Sequence, residues 1–220
     1  MRRVSSLIIA LLIVSSTFTG CNDLIEIDEQ VYPLVIGADM GVNNKVRLTI
    51  QYPSYKGAAG GTIGGGGKEA GGEGISETGE LEGTVITTIE AATILEGVNL
   101  LNIAIARTIS LTHAKMLVFS EEFARSGIGE YLAPMMRYRE TRRIMHVVVC
   151  RGKAEDFIKT NVSTIGASAT KSMELMVTQS EHSGLFARET FVEFYEDMLS
   201  SYKNSIAAYA GVNEFKKLNE

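Results

Sequence analysis

A thiol stands directly behind a glycine in Phe18-Thr19-Gly20-Cys21, at the end of a short apolar run, the position at which a bacterial lipoprotein is acylated and cleaved. Ahead of it lie a cationic start at Arg2 and Arg3, an apolar core from Leu7 to Val14, and a small polar approach through Ser15, Ser16 and Thr17. That is the order of an export signal. The apolar core is far shorter than the roughly 20 residues a hydrocarbon layer requires, so a permanent transmembrane helix is disfavoured, and no later segment is longer. Phe18 occupies the place where such signals carry leucine, and it is still large and apolar. Cys21 is therefore the candidate lipidation site. The competing reading is a plain secretory peptide in which Cys21 is incidental. Each buried acyl methylene contributes about 0.8 kcal/mol and one chain binds only marginally, so two or more chains would hold the protein on a bilayer essentially permanently.

The remaining reactive residues form no catalytic set. His113, His146 and His182 are far apart, and none sits three or four positions from another His or Cys, so no metal-ligand cluster is visible. Ser76, in Gly74-Ile75-Ser76-Glu77-Thr78-Gly79, is one residue out of register with a nucleophile elbow. The glycine tract is no phosphate loop: Lys68 is followed by Glu69 rather than Ser or Thr, and Thr62 stands where the first glycine of that motif belongs. Glu121, Glu122 and Glu140 are explained by helix-end electrostatics. One basic cluster is less ordinary: Arg137, Arg139, Arg142 and Arg143, interrupted by Glu140, precede an apolar run in an otherwise acidic chain. It reads either as a solvated face or as a docking surface for phospholipid head groups or an acidic loop of a partner, both of which guanidinium forks match.

Composition narrows the class. The formal charge is −5, and loss of residues 1–20 removes Arg2 and Arg3 but no acid, giving −7. An acidic surface opposes nucleic-acid binding. Of the two cysteines, an acylated Cys21 leaves Cys150 without an intramolecular partner, so cohesion must come from a core and not from disulfides. Cys150 ends the apolar run His146-Val147-Val148-Val149 and reads as a small buried side chain.

The elements that would carry these residues follow from periodicity. Residues 1–20 are the signal and 21–30 an acidic, polar tether. Val31 to Ala38 and Lys45 to Tyr52 read as strands joined by the turn from Asp39 to Asn44, with Val46, Leu48 and Ile50 on a buried face and Arg47, Thr49 and Gln51 on a wet one. In 57–84, 12 of 28 residues are glycine, which predicts a flexible loop because ordering so much backbone is costly. Thr84 to Thr87 reads as a short strand, and Thr87 with Glu90 as the capping box of a helix over 88–106. Lys115 to Phe119 is a strand, Ser120 caps the helix after it, Gly127 ends that helix, and Ile128 to Arg139 forms another. Ile144 to Arg151 is a buried strand, Ala154 to Lys159 a short helical turn, and Ile165 to Ser180 a helix. In the last helix Phe191, Phe194, Tyr195, Met198, Leu199 and Tyr202 form one core-facing stripe. The fold class is α+β, a mixed or antiparallel sheet with packed helices in a single main domain.

Laid end to end, these features resemble the C-subunit lipoproteins of bacterial spore germinant receptors, the Ger(x)C family. The resemblance rests on Gly20-Cys21 with Glu26-Ile27, on Gly37, Asp39, Lys45, Leu48, Thr49 and Gln51, and most specifically on Leu111 through Ile128 with its Phe119-Ser120-Glu121-Glu122-Phe123-Ala124-Arg125-Ser126-Gly127 core. It continues through Arg137, Glu140, Arg142-Arg143 and Gly152-Lys153-Ala154. Asn22 stands where the family has tryptophan. The resemblance covers the chain to about residue 204 and implies a domain over 31–204, with 205–220 a linker or the start of a truncated second domain, since such proteins usually carry more. It further implies a non-enzymatic subunit without cofactors or metal, held by its lipid on the outer face of the spore inner membrane beside the integral-membrane A and B subunits, and needed for nutrient-triggered germination. The alternative is an envelope lipoprotein that binds a small solute for a transporter, which predicts a deep pocket between two lobes. Replacing the thiol, Cys21→Ala, is expected to leave the fold intact and release the protein from membranes; unchanged membrane fractionation would count against anchoring through this residue.

Overall fold

The computed structural model describes residues 29–53, 79–81, 84–160 and 188–212, with isolated positions elsewhere. The chain divides into two units, Met1–Gln30 and Val31–Glu220, and the second is the body described below. Strand β1 (Gln30–Val31) pairs with β6 (Thr108–Ile109) in a two-stranded ribbon. The main sheet is built from β2 (Val35–Met40), β3 (Val46–Pro53), β4 (Gly79–Leu81), β5 (Thr84–Ala91), β7 (Met116–Ser120), β8 (His146–Cys150) and β9 (Ala208–Ala210). Its order among the described residues is β4-β5-β3-β2-β7-β8-β9. Antiparallel pairs join β4, β5, β3 and β2, whereas β2, β7, β8 and β9 run parallel, so β2 is the seam between two kinds of sheet. Parallel neighbours need long crossovers. Here α2 (Glu121–Ser126) and α3 (Gly129–Arg137) connect β7 to β8, while α4 (Ala154–Thr160) and α5 (Phe191–Leu199) lie between β8 and β9. Helix α1 (Ile94–Ile105) follows β5. This is the α+β domain that periodicity predicts.

Alternation along the strands divides the core in two. Ile36, Leu48, Ile50, Leu117 and Phe119 face α1, α3 and α5, which contribute Val98, Leu101, Leu132, Met135 and Phe191. Val35, Ile86, Val118, Val148 and Cys150 face the other way, against Phe157 and Ile158 of α4. Two glycines set how closely helices approach. A β-carbon on Gly37 would stand 2.6 Å from Ile158 Cδ1, so a side chain there would push the tip of Ile158 aside where α4 rests on β2. A β-carbon on Gly97 of α1 would stand 2.7 Å from Cδ2 and 3.3 Å from Cβ of Leu48.

Several boundaries differ from the periodicity reading, each for a local reason. The face carrying Thr49 and Gln51 is buried, not wet, because α4 and the neighbouring strand β5 cover it; both residues are fully buried. Strand β5 runs on to Ala91 because Thr88 and Glu90 pair in register with Thr49 and Arg47. The helix therefore starts later, at Ile94, where Thr93 Oγ1 accepts from the Glu96 N–H at 3.1 Å and Glu96 reaches back to the Ala92 N–H at 2.8 Å. The predicted Thr87–Glu90 box is thus part of a strand. Within 57–84, Gly79–Leu81 is not loop but an edge strand on β5; 54–78 lie outside the described residues, as does most of the predicted helix 165–180. The stripe on α5 ends at Met198: Phe191 and Phe194 are buried, but Leu199 and Tyr202 are exposed because the helix stops at Leu199. Ala208–Ala210, in the segment read as linker or further domain, completes the sheet beside β8. Ser120 caps α2 through the Phe123 N–H, and Gly127, at φ 97°, closes it as read.

Overfilling the contact under α1 tests this packing. The Gly97→Val variant is expected to lose about 2 kcal/mol, the usual scale of core overpacking, seen as a lower urea midpoint with an unchanged slope.

Candidate functional site

Helix α4 begins without its own cap, since Lys153 offers no acceptor to the first amides. Asp39, reaching up from β2, fills that place: its carboxylate accepts from the Ala154 N–H at 2.6 Å and the Glu155 N–H at 3.0 Å. Burial pushes the Asp39 carboxyl upward in pKa, against the pull of those two amides and the Ser120 hydroxyl. Beside it, Arg47 Nε donates to Glu155 Oε2 at 2.7 Å, and Lys159 Nζ lies 2.9 Å from Glu155 Oε1. Burial alone would raise Glu155, but hydrogen bonds from Arg47 and Lys159 bring it below the ordinary value of 4.5. The same arginine lies 3.7 Å from Glu90, whose two carboxylate oxygens accept the Val42 and Asn43 N–H groups at 3.0 Å each, and those amides lower its pKa. Thr49 and Thr88 share a hydrogen bond at 3.1 Å under this layer. An apolar face would have sufficed for packing. This one is a polar lock that joins the β2–β3 hairpin, β5 and α4.

Of the residues singled out by sequence, Cys21 lies outside the described residues, as do Ser76 and His182. The four arginines are brought together at one place: Arg137 ends α3, and Arg139, Arg142 and Arg143 follow in the loop to β8. Arg137, Arg139 and Arg143 are exposed, and Arg142 is half-buried. None of them forms an ion pair with another described residue. The loop is held by its backbone. Thr141 N–H donates to the Tyr138 carbonyl, and the carbonyls of Arg143 and Met145 accept the Val192 and Phe191 N–H groups at 3.0 and 2.8 Å. Thr141 and Met145 are buried as pegs beneath it.

The other titratable groups are arranged for packing. His113 is exposed, with its ring edge-on to Tyr32 at 4.6 Å and its Nδ1 3.0 Å from Thr112 Oγ1, and no carboxylate hydrogen bond to it is present among the described residues. Cys150 is fully buried, and burial raises its thiol to about 12, which keeps it protonated and unreactive. Among the described residues no group of three or more His, Cys, Asp or Glu side chains could hold a metal ion, and no helix is long and apolar enough to cross a membrane.

The profile of the spore germination protein N-terminal domain matches residues 23–212, nearly the whole described body together with the segment before it. The chain belongs to that family. Among curated proteins it is similar to "Putative spore germination protein YfkR" of Bacillus subtilis (strain 168), with 29% identity over 166 residues that cover 76% of this chain and 40% of the relative. The chain thus spans well under half of the relative's length. No solved structure matches it.

The lock makes a signed prediction about pH. Arg47→Met leaves Glu155 with Lys159 and the Thr88 hydroxyl and should cost about 2 kcal/mol at neutral pH, below the 3–5 expected for a fully buried pair because Arg47 is partly exposed. Glu155 has a depressed pKa, so its stabilisation is present above 4.5 and is lost as pH falls through the lower folded value. Asp39, raised, acts in the opposite sense, favouring the fold while protonated and less so as pH rises. The gap between wild type and Arg47→Met, followed by thermal melts, should therefore close on acidification below the ordinary Glu range.

Proposed function

We propose that this chain is the lipid-anchored, non-enzymatic C subunit of a spore germinant receptor, required for nutrient-triggered germination. The observation that carries this reading is where the family match begins: residue 23, two positions beyond Cys21 and directly after the export signal. A globular body that follows such a signal, from Val31 onward, is delivered across a membrane and left on its outer face, which in a spore is the outer face of the inner membrane. The partners are the integral-membrane A and B subunits. Confinement to a surface raises effective concentration, so a weak interface is enough to assemble such a complex. The role is one of binding: Arg47 is spent on Glu155, Asp39 on the first amides of α4, and Cys150 is kept neutral by burial.

The test is a detergent extract of spore membranes carrying a tagged chain. Both integral-membrane subunits are expected in the eluate, and spores with Cys21→Ala should respond to nutrient far more slowly than wild type. Recovery of the tagged chain without either subunit, with germination unchanged in the variant, would overturn the assignment.

A further inference from the structure

Parallel pairing puts the starts of β2, β7 and β8 at one end of the body, in the register Val35, Met116 and His146. The body begins at that end: Val31 accepts from the Ser110 N–H, Leu34 from the Lys115 N–H, and Lys115 in turn from the His146 N–H. The arginine loop precedes β8, so Arg142 and Arg143 also lie there. Helix α3 runs back to the same end, from Glu130, which pairs with Lys45 beside the distant hairpin, to Arg137. Ile144, between Arg143 and the first buried residue of β8, is 58% exposed. Glu140, the acid within the cluster, has one carboxylate oxygen buried.

We infer that this end is a docking face for an anionic phospholipid surface, with Arg137, Arg139, Arg142 and Arg143 on the phosphates and Ile144 among the head groups. The inference rests on the anchored reading above and adds an orientation to it. Four observations support a docking face here, and the last two favour lipid over an acidic protein segment. The guanidinium groups are clustered in an acidic chain and have no ion-pair partner among the described residues. Their backbone is pinned by α5, so little entropy is lost on contact. An exposed isoleucine sits among them. Finally, this is the end at which the chain arrives from Cys21, and a segment of that length reaches at most ~35 Å. A basic residue close to an anionic surface multiplies partitioning by about fivefold, an effect that fades within a Debye length.

The experiment uses a chain starting at residue 21 with Cys21→Ser, so no acyl group contributes, and sediments it with vesicles. It should partition onto phosphatidylglycerol–phosphatidylcholine vesicles and not onto phosphatidylcholine alone, lose that binding in salt, and drop tenfold or more in R142Q/R143Q with an unchanged melt. Equal binding to both vesicles, or a double variant that binds like its parent, would overturn the docking face. So would loss of subunit co-purification in R142Q/R143Q with vesicle binding intact, which would mark a protein interface. The anchor is read separately, from the mass of native residue 21: an unmodified terminus with phosphatidylglycerol binding retained counts against acylation alone, and an acylated chain indifferent to phosphatidylglycerol counts against this face alone.

Discussion

Three strands running the same way, β2, β7 and β8, gather their first residues at one end of the body and their last at the other, and this constraint apportions the chemistry. At the carboxyl ends lie Asp39 and Ser120, each capping a helix that leaves the sheet. In open sheets of this kind a helix N-terminus at the carboxyl edge commonly receives a ligand's anion. Here the anion is internal. Asp39 occupies the first two amides of α4, so the place where a doubly wound sheet usually binds something is filled by its own side chain.

The polar lock also explains how a sheet of two characters keeps one register. A one-residue slip of β3 would turn Arg47 and Thr49 into the apolar core and leave Glu155 buried without its arginine. Burying those charges is expensive, and the expense is offset only when every partner is in place, so the network tolerates one alignment. Glu90 extends it outward by accepting the hairpin amides of Val42 and Asn43. Gly37 supplies space beneath it: a β-carbon there would press on Ile158 Cδ1 of α4, close to the amides that Asp39 meets.

Much of the body was legible in the residues. Val46, Leu48 and Ile50 marked a buried face, Ser120 a cap and Gly127 a stop, and the matches between Leu111 and Ile128 pointed to the family. What could not be read was contact across distance. The polar side of β3 looks solvated because periodicity reports polarity and not coverage, and nothing local to β3 announces a helix more than a hundred residues later. The signal for the lock was faint: Asp39, read as the first residue of a turn, lies within β2, while Lys153 precedes a helix and cannot cap it. Each anomaly answers the other. Likewise Thr87 with Glu90 fits a cap by spacing, and only pairing with β3 reveals a strand.

Electrostatics decides how such a body would sit beside a membrane. Without residues 1–20 the chain carries −7, the −5 of the whole less Arg2 and Arg3, so its surface as a whole is repelled by anionic lipid. Screening limits that repulsion to about 8 Å at physiological ionic strength, and within that range the local sign matters more than the sum. On the proposed orientation, rotations that bring Glu121, Glu122 or Glu130 toward the bilayer would be disfavoured, whereas the end bearing Arg137, Arg139 and Arg143 would be drawn in. An acyl anchor supplies nearness without direction; a cluster of guanidinium groups held on a rigid loop supplies direction with little affinity of its own. Joined in one chain, the two would present the hairpin end, with Val42 exposed at its tip, away from the lipid and toward whatever stands above it.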